Sequence, residues 1–72
     1  MKFNATVLRM RMAELDTSTK DLAKKLSVHH SYLSTISTGD RNPSLRLVNR
    51  MAKCLGIDAI SFYKAEENTD GK

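Results

Sequence analysis

Apolar residues recur with helical spacing along the first 63 positions, and short polar or glycine-containing breaks separate the runs. This periodicity predicts five short helices. They cover about residues 5–15, 19–26, 30–37, 45–55 and 59–63. No alternating run of β-branched residues is long enough to indicate a strand. The fold class we expect is therefore all-α, with five short helices around one core.

Capping residues mark the ends of the predicted helices. Polar residues suited to N-caps precede four of them: Asn4, Ser18, Ser44 and Asp58. Ser18 and Asp21 also have the spacing of a capping box. Gly39 and Gly56 follow the third and fourth helices, where glycine favours termination.

The residues predicted to face the core lie mostly three or four positions apart. They are Val7, Leu8, Met12, Leu15, Leu22, Ala23, Leu26, Leu33, Ile36, Leu45, Val48, Met51, Ala52 and Leu55. Cys54 is the only cysteine, which excludes an internal disulfide. We expect it to be a small core residue in a reducing environment.

Residues 18–37 have the pattern of a helix-turn-helix, in which one helix crosses the DNA backbone and the next enters the major groove. Ala23 supplies the small residue that close packing of the two helices requires, and Val28 supplies an apolar anchor in the turn. The outward residues of the second helix of this motif are short or medium polar groups: His30, Ser31, Ser34 and Thr35. Such groups can hydrogen-bond to base edges, so we predict that these four contact bases.

The charge distribution agrees with a polyanionic partner. Residues 1–63 hold ten basic and five acidic residues, a net charge of +5, whereas residues 64–72 carry −1. Lysines and arginines that neutralise phosphates release counterions, which favours binding to nucleic acid. We therefore predict a DNA-binding domain over 1–63 and a polar, disordered C-terminal tail over 64–72.

The stretch "STKDLAKKLSVHHSYLSTISTGDRNPS", followed by "LVNRMAKCLGI", resembles the lambda-repressor-like (Cro/CI, XRE-type) helix-turn-helix family. The similarity covers about residues 5–63. The matching positions are Leu22, Ala23, Val28, Leu33, Ser34, Gly39, Pro43, Ser44, Ala52, Leu55 and Gly56.

The resemblance implies a homodimer that binds near-palindromic operators. It places the residues in contact with DNA phosphates at Thr19, Lys20, His29, Tyr32, Arg41, Asn42 and Arg46. It also implies that the last helix and its approach form the dimer contact, which involves Ile57, Ile60, Phe62 and Tyr63.

The chain departs from the family pattern at several positions. Thr19 replaces a phosphate-binding glutamine, and Ser27 stands at the glycine of the turn. Met12 and Ser37 replace an arginine and a glutamate that the family commonly pairs. Because both charges are missing together, packing is expected to replace the ion pair without stranding a buried charge.

Other functions have less support in the sequence. Adjacent helical residues such as His29 and His30 point about 100° apart, and no further metal ligands occur at a recognised spacing, so we expect no metal and no other cofactor. No orienting carboxylate accompanies a histidine and a serine, so we expect no enzyme. No segment approaches the roughly 20 apolar residues of a membrane span. The leading hypothesis is a cytoplasmic, nucleoid-associated repressor whose partners are double-stranded DNA, a second copy of itself and, as a further candidate, a second regulatory protein. The alternative is an antitoxin-like or adaptor module that binds another protein with the same fold.

Overall fold

The computed structural model describes residues 2–63. It contains four α-helices: α1 (Ala5–Glu14), α2 (Thr19–Leu26), α3 (His30–Ser37) and α4 (Leu45–Leu55). A 3-10 helix (Ala59–Phe62) follows α4. The described part of the chain contains no strand, which confirms the all-α class. The predicted tail, 64–72, lies outside the described residues.

The fifth predicted helix is a single turn of 3-10 helix, so the expectation of five α-helices was wrong. The backbone N–H of Ser61 donates to the carbonyl of Asp58 at 2.9 Å, and that of Tyr63 donates to the carbonyl of Ile60 at 3.0 Å. These i to i+3 bonds define the tighter helix, which is used in short pieces. Asp58 occupies the N-cap position, but its side chain makes no capping bond.

Three predicted side-chain caps begin the helices that form the motif and its support. The Asn4 side chain accepts from the N–H of Thr6 at 3.0 Å, and the Ser18 hydroxyl oxygen accepts from the N–H of Asp21 at 3.0 Å. The Ser44 hydroxyl oxygen accepts from the N–H of Leu47 at 3.2 Å. Each cap satisfies a backbone donor that the helix leaves unpaired. At the other end of α4, Gly56 adopts a left-handed conformation with φ of 70°.

One hydrophobic core joins all of these elements, and Phe62 is among its largest fully buried side chains. The Phe3 ring stacks on the Phe62 ring with centroids 5.2 Å apart. The backbone N–H of Asn4 donates to the carbonyl of Phe62 at 2.7 Å. The segment before α1 is thereby attached to the 3-10 helix.

Several core predictions need correction. Leu15 and Leu45 are 41% and 64% exposed, and Cys54 is exposed as well. Leu47 is buried instead, because residues 47, 51 and 55 lie four apart and share the inner face of α4. Leu15 is the C-cap of α1 and follows the last turn that packs on the core.

Three arginines connect the helices by donating hydrogen bonds to the last turn of a neighbouring helix. Arg9 Nη1 donates to the carbonyl of Ser37 at 2.5 Å, Arg11 Nε to that of Leu55 at 2.8 Å, and Arg50 Nη2 to that of Leu26 at 2.6 Å. The last carbonyls of a helix have no intrahelical partner, and cations are favourable there. The C-terminal ends of α2, α3 and α4 are each held in this way.

Candidate nucleic-acid interface

The turn between α2 and α3 sets the angle at which α3 leaves the domain. Ser27 adopts a left-handed conformation with φ of 57°, at the position where the family has glycine. The backbone N–H of Val28 donates to the carbonyl of Ala23 at 3.0 Å, which closes the end of α2. Val28 also packs against the core, as predicted. A serine here is strained, because left-handed backbone is unfavourable for a residue with a Cβ.

The four residues predicted to contact bases share one face of α3. His30 and Ser31 are exposed, and Ser34 and Thr35 are half-buried. Their spacing of three and four residues brings their side chains together on the helix surface. Leu33 and Ile36 are buried on the inner face, and Ser37 is buried at the C-terminal end of the helix. The face thus combines donors and acceptors of short reach on a helix that is anchored along its other side.

The hydroxyl of Thr35 has a fixed partner within α3. Thr35 Oγ1 donates to the carbonyl of Tyr32 at 2.7 Å. A hydroxyl has one proton and two lone pairs, so the Thr35 oxygen keeps its acceptor capacity. His29 lies just before this face, at the N-cap position of α3, without a side-chain capping bond.

At the buried end of α3, packing and hydrogen bonds take the place of the ion pair in the family pattern. Met12 is 6% exposed and Ser37 is 8% exposed, and the Ser37 hydroxyl donates to the carbonyl of Ser34 at 3.0 Å. Arg9, three residues before Met12, supplies the bond to the Ser37 carbonyl described above. Sequence analysis missed this contact, because the bond joins residues 28 positions apart and depends on how α1 packs against α3.

The residues predicted to contact phosphates lie on several elements. Tyr32 and Arg41 are in contact: the Arg41 guanidinium carbon is 5.6 Å from the centre of the Tyr32 ring. The other candidates, Lys20, Asn42 and Arg46, are exposed on α2, in the loop and on α4, and Thr19 is half-buried at the start of α2. Among residues 2–63, no hydrogen bond or ion pair ties these four to α3.

A separate apolar groove lies beside the 3-10 helix. It has a volume of about 440 Å³ and is lined by Leu45, Ala59, Ile60 and Tyr63. Ile60 is 51% exposed, and Leu45 is the most exposed large apolar residue of the described chain. Sequence analysis missed Leu45 here because its spacing to Val48 and Ala52 also fits the core stripe of α4.

Phe62 does not belong to this surface. Its side chain is fully buried, whereas Ile57 and Tyr63 are half-buried. A residue without exposed surface cannot contact a second molecule while the domain remains folded. We therefore remove Phe62 from the predicted dimer contact and assign it to the core.

Two further expectations concern metals and membranes. No group of three or more metal-ligating side chains occurs among residues 2–63. In the same part of the chain, no helix has the length and apolar content that a membrane span requires.

The arrangement of α2, the tight turn and α3, with a polar outer face on α3, defines a helix-turn-helix protein of the DNA-binding class. Comparison with known proteins agrees. The helix-turn-helix family model HTH_3 matches residues 8–62. The control protein C.BamHI of Bacillus amyloliquefaciens is 33% identical over 63 residues, which are 83% of this chain and 78% of that protein.

Solved structures show the same fold. The hypothetical transcription factor NHTF from Neisseria gives a TM-score of 0.81 at 22% identity, over 89% of this chain and 74% of that one. The biofilm master regulator SinR in complex with DNA gives 0.78 at 24% identity, over 83% and 97%. A SinR–SinI complex gives 0.81 at 23% identity, over 94% and 67%. The chain belongs to the XRE-type, lambda-repressor-like helix-turn-helix family and is a DNA-binding transcriptional regulator.

Proposed function

We propose that this protein is a Cro/CI-type repressor that binds a palindromic operator as a homodimer. The observation that carries the proposal is the polar face of α3, where His30, Ser31, Ser34 and Thr35 lie together on the outer side of an otherwise buried helix. Each protomer inserts this face into the major groove. The exposed Arg41, Asn42 and Arg46 contact the adjacent backbone phosphates.

The dimer forms through the apolar groove beside the 3-10 helix. Ile60 and Leu45 are both more than half exposed, and burying their apolar surface against a second copy is favourable. A two-fold dimer places its two α3 helices in successive major grooves, about 34 Å apart. Repression then follows from occlusion of a promoter. Since SinR is known in complexes with DNA and with SinI, a second protein that competes for the groove is a further regulatory partner in this proposal.

Selection from random duplex DNA at physiological salt tests the base contacts. Wild type, a Ser31→Ala/Thr35→Ala variant and a Thr6→Ala control are compared; Thr6 is exposed on α1, where its hydroxyl accepts a bond from Arg9 Nη2 at 3.3 Å. We expect a palindromic consensus from wild type and from the control, and its loss or alteration in the double variant. If no sequence is enriched by any of them, the antitoxin-like or adaptor function becomes the better explanation.

Light scattering tests the dimer. Ile60→Glu places a charge in the groove and should yield a folded monomer, because an unpaired charge is costly to bury. Lys53→Glu introduces the same carboxylate at an exposed position of α4 and should remain dimeric. A dimer of unchanged mass in Ile60→Glu would contradict the assignment of this surface.

A further inference from the structure

Tyr32 and Arg41 are stacked at the edge of the candidate interface. The distance of 5.6 Å between the guanidinium carbon and the ring centre lies within the range of a cation–π interaction. Tyr32 is half-buried, and its ring also packs against the hydrophobic core. Arg41 is exposed in the loop between α3 and α4. The ring is therefore the anchored member of the pair, and the arginine is the member that faces solvent.

The neighbouring acidic residue, Asp40, forms no ion pair with Arg41. The Asp40 carboxylate accepts a hydrogen bond from Thr38 Oγ1 at 3.1 Å, and the Asp40 N–H donates to the carbonyl of Thr35 at 2.9 Å. Among residues 2–63, the ion pair found is that between Arg11 and Glu14. The N–H donors of Arg41 thus remain available to an anion while the face of its guanidinium rests on the ring.

We propose that Tyr32 is a positioning residue for Arg41, and that its ring holds the guanidinium where a DNA backbone phosphate will lie. This inference rests on the proposed entry of α3 into the major groove. It replaces the sequence-based expectation that Tyr32 itself contacts a phosphate. A long side chain that is already held in place loses less conformational freedom when DNA binds. Because the ring face provides the attraction, the tyrosine hydroxyl is dispensable.

A double-mutant cycle tests the coupling between the two residues. Affinity is measured by fluorescence anisotropy for a duplex carrying the enriched sequence and for a scrambled duplex of equal length. The variants are Tyr32→Phe, Tyr32→Leu, Arg41→Gln and the Tyr32→Leu/Arg41→Gln double variant. We expect Tyr32→Phe to retain wild-type affinity. Tyr32→Leu should bind about twofold to fivefold more weakly, which corresponds to an exposed cation–π contact. In the Arg41→Gln background, Tyr32→Leu should change the affinity for DNA little.

The salt dependence identifies Arg41 as the group that touches phosphate. Arg41→Gln should reduce the slope of log affinity against log salt by about 0.9, the value for one phosphate contact on duplex DNA. Tyr32→Leu should leave that slope nearly unchanged, since the arginine is still present. As a control for the cycle, Tyr32→Leu combined with Arg46→Gln should be additive. Arg46 is exposed on α4 and makes no cation–π contact among the described residues.

Three results would overturn the proposal. Equal losses in Tyr32→Phe and Tyr32→Leu would mean that the hydroxyl contacts DNA directly. Additive effects of Tyr32→Leu and Arg41→Gln would mean that the two residues act independently. An unchanged salt slope in Arg41→Gln would remove the phosphate contact. Thermal unfolding shows whether each variant is folded. If Tyr32→Leu is unfolded, Tyr32→Met, which also keeps an apolar side chain, is used in its place. The scrambled duplex makes the cycle independent of an operator, so failure to enrich a sequence counts against the proposed function alone.

Discussion

The bond from Arg9 to the end of α3 predicts a specific loss of stability in an Arg9→Met variant. Arg9 Nη1 donates to the carbonyl of Ser37, the last residue of α3, in a partly buried contact between elements 28 positions apart in sequence. Methionine retains the apolar stem of arginine, which can still cover neighbouring surface, and removes only the guanidinium. The variant therefore removes the charge, the bond to Ser37 and an exposed 3.3 Å bond from Arg9 Nη2 to Thr6 Oγ1, of which the bond to Ser37 is the partly buried one.

The expected magnitude follows from two contributions. A hydrogen bond to a charged group contributes about 1.5–3 kcal/mol. A cation at a helix C-terminus adds about 0.3–1 kcal/mol. Arg9 is exposed, so solvent competes for its donors and the net stabilisation falls below the sum of these two contributions. We expect a loss of about 1–2 kcal/mol, which lowers the Tm of a domain this small by about 5–15 °C.

Thermal unfolding followed by circular dichroism measures this loss, and Arg46→Met is the matched control. Arg46 is exposed on α4 and takes part in no ion pair among the described residues, so its substitution should change stability by about 0.5 kcal/mol or less. If Arg9→Met and Arg46→Met melt at the same temperature, the Arg9–Ser37 bond does not stabilise the domain. The explanation for the missing arginine–glutamate pair would then fail with it.

Three other substitutions test separate parts of the structure. Ser27→Gly should stabilise the domain by about 0.5–1 kcal/mol in urea unfolding, because a φ of 57° is unfavourable for serine but readily adopted by glycine. A urea midpoint equal to or below that of wild type would show that Ser27 is not strained. Phe62→Ala should cost about 3–5 kcal/mol, enough to unfold much of the protein, because the ring is fully buried. Ile60→Ala, at an exposed site, serves as its control, and equal losses in the two would refute the burial of Phe62. Thr35→Val should relax the preference at one operator base pair by about twofold to tenfold, because the Thr35 oxygen can accept from an amino group of adenine or cytosine. An unchanged consensus would exclude Thr35 from base contact.

Much of the fold could be predicted from local patterns. The spacing of Leu22, Ala23 and Leu26, with Ser18 as a cap, fixes the position of α2 because both signals are local. The aromatic pair of Phe3 and Phe62 could not be predicted, since it joins the two ends of the described chain and depends on how the helices pack. The 3-10 helix escaped prediction for a related reason. A stretch of four residues carries too little periodicity to distinguish the two helix types.

The grouping of His30, Ser31, Ser34 and Thr35 on one face of α3 was accessible to sequence analysis, because it is a consequence of helical spacing alone. Leu45 and Leu47 illustrate the limit of such spacing. Both stand near the start of α4, and either could join an apolar stripe with later residues. The packing of α4 against α2 and the 3-10 helix selects Leu47 for the core and leaves Leu45 in the groove. A stripe predicts that a helix has a buried face, but tertiary contacts decide its edges.

Net charge is a poor measure of how many cations touch DNA in this protein. Residues 1–63 carry +5, yet three of their five arginines donate to carbonyls at helix ends. Such arginines contribute to the long-range attraction of DNA, and because part of each guanidinium is already hydrogen-bonded, we expect them to make fewer phosphate contacts than unbonded arginines. The cationic candidates at the interface are Lys20, Arg41 and Arg46, three for each protomer. At about 0.9 counterions released per contact, a dimer should show a log–log salt slope near −5. A slope several units steeper would mean that the helix-capping arginines or further lysines leave their places in the free protein and bind the backbone.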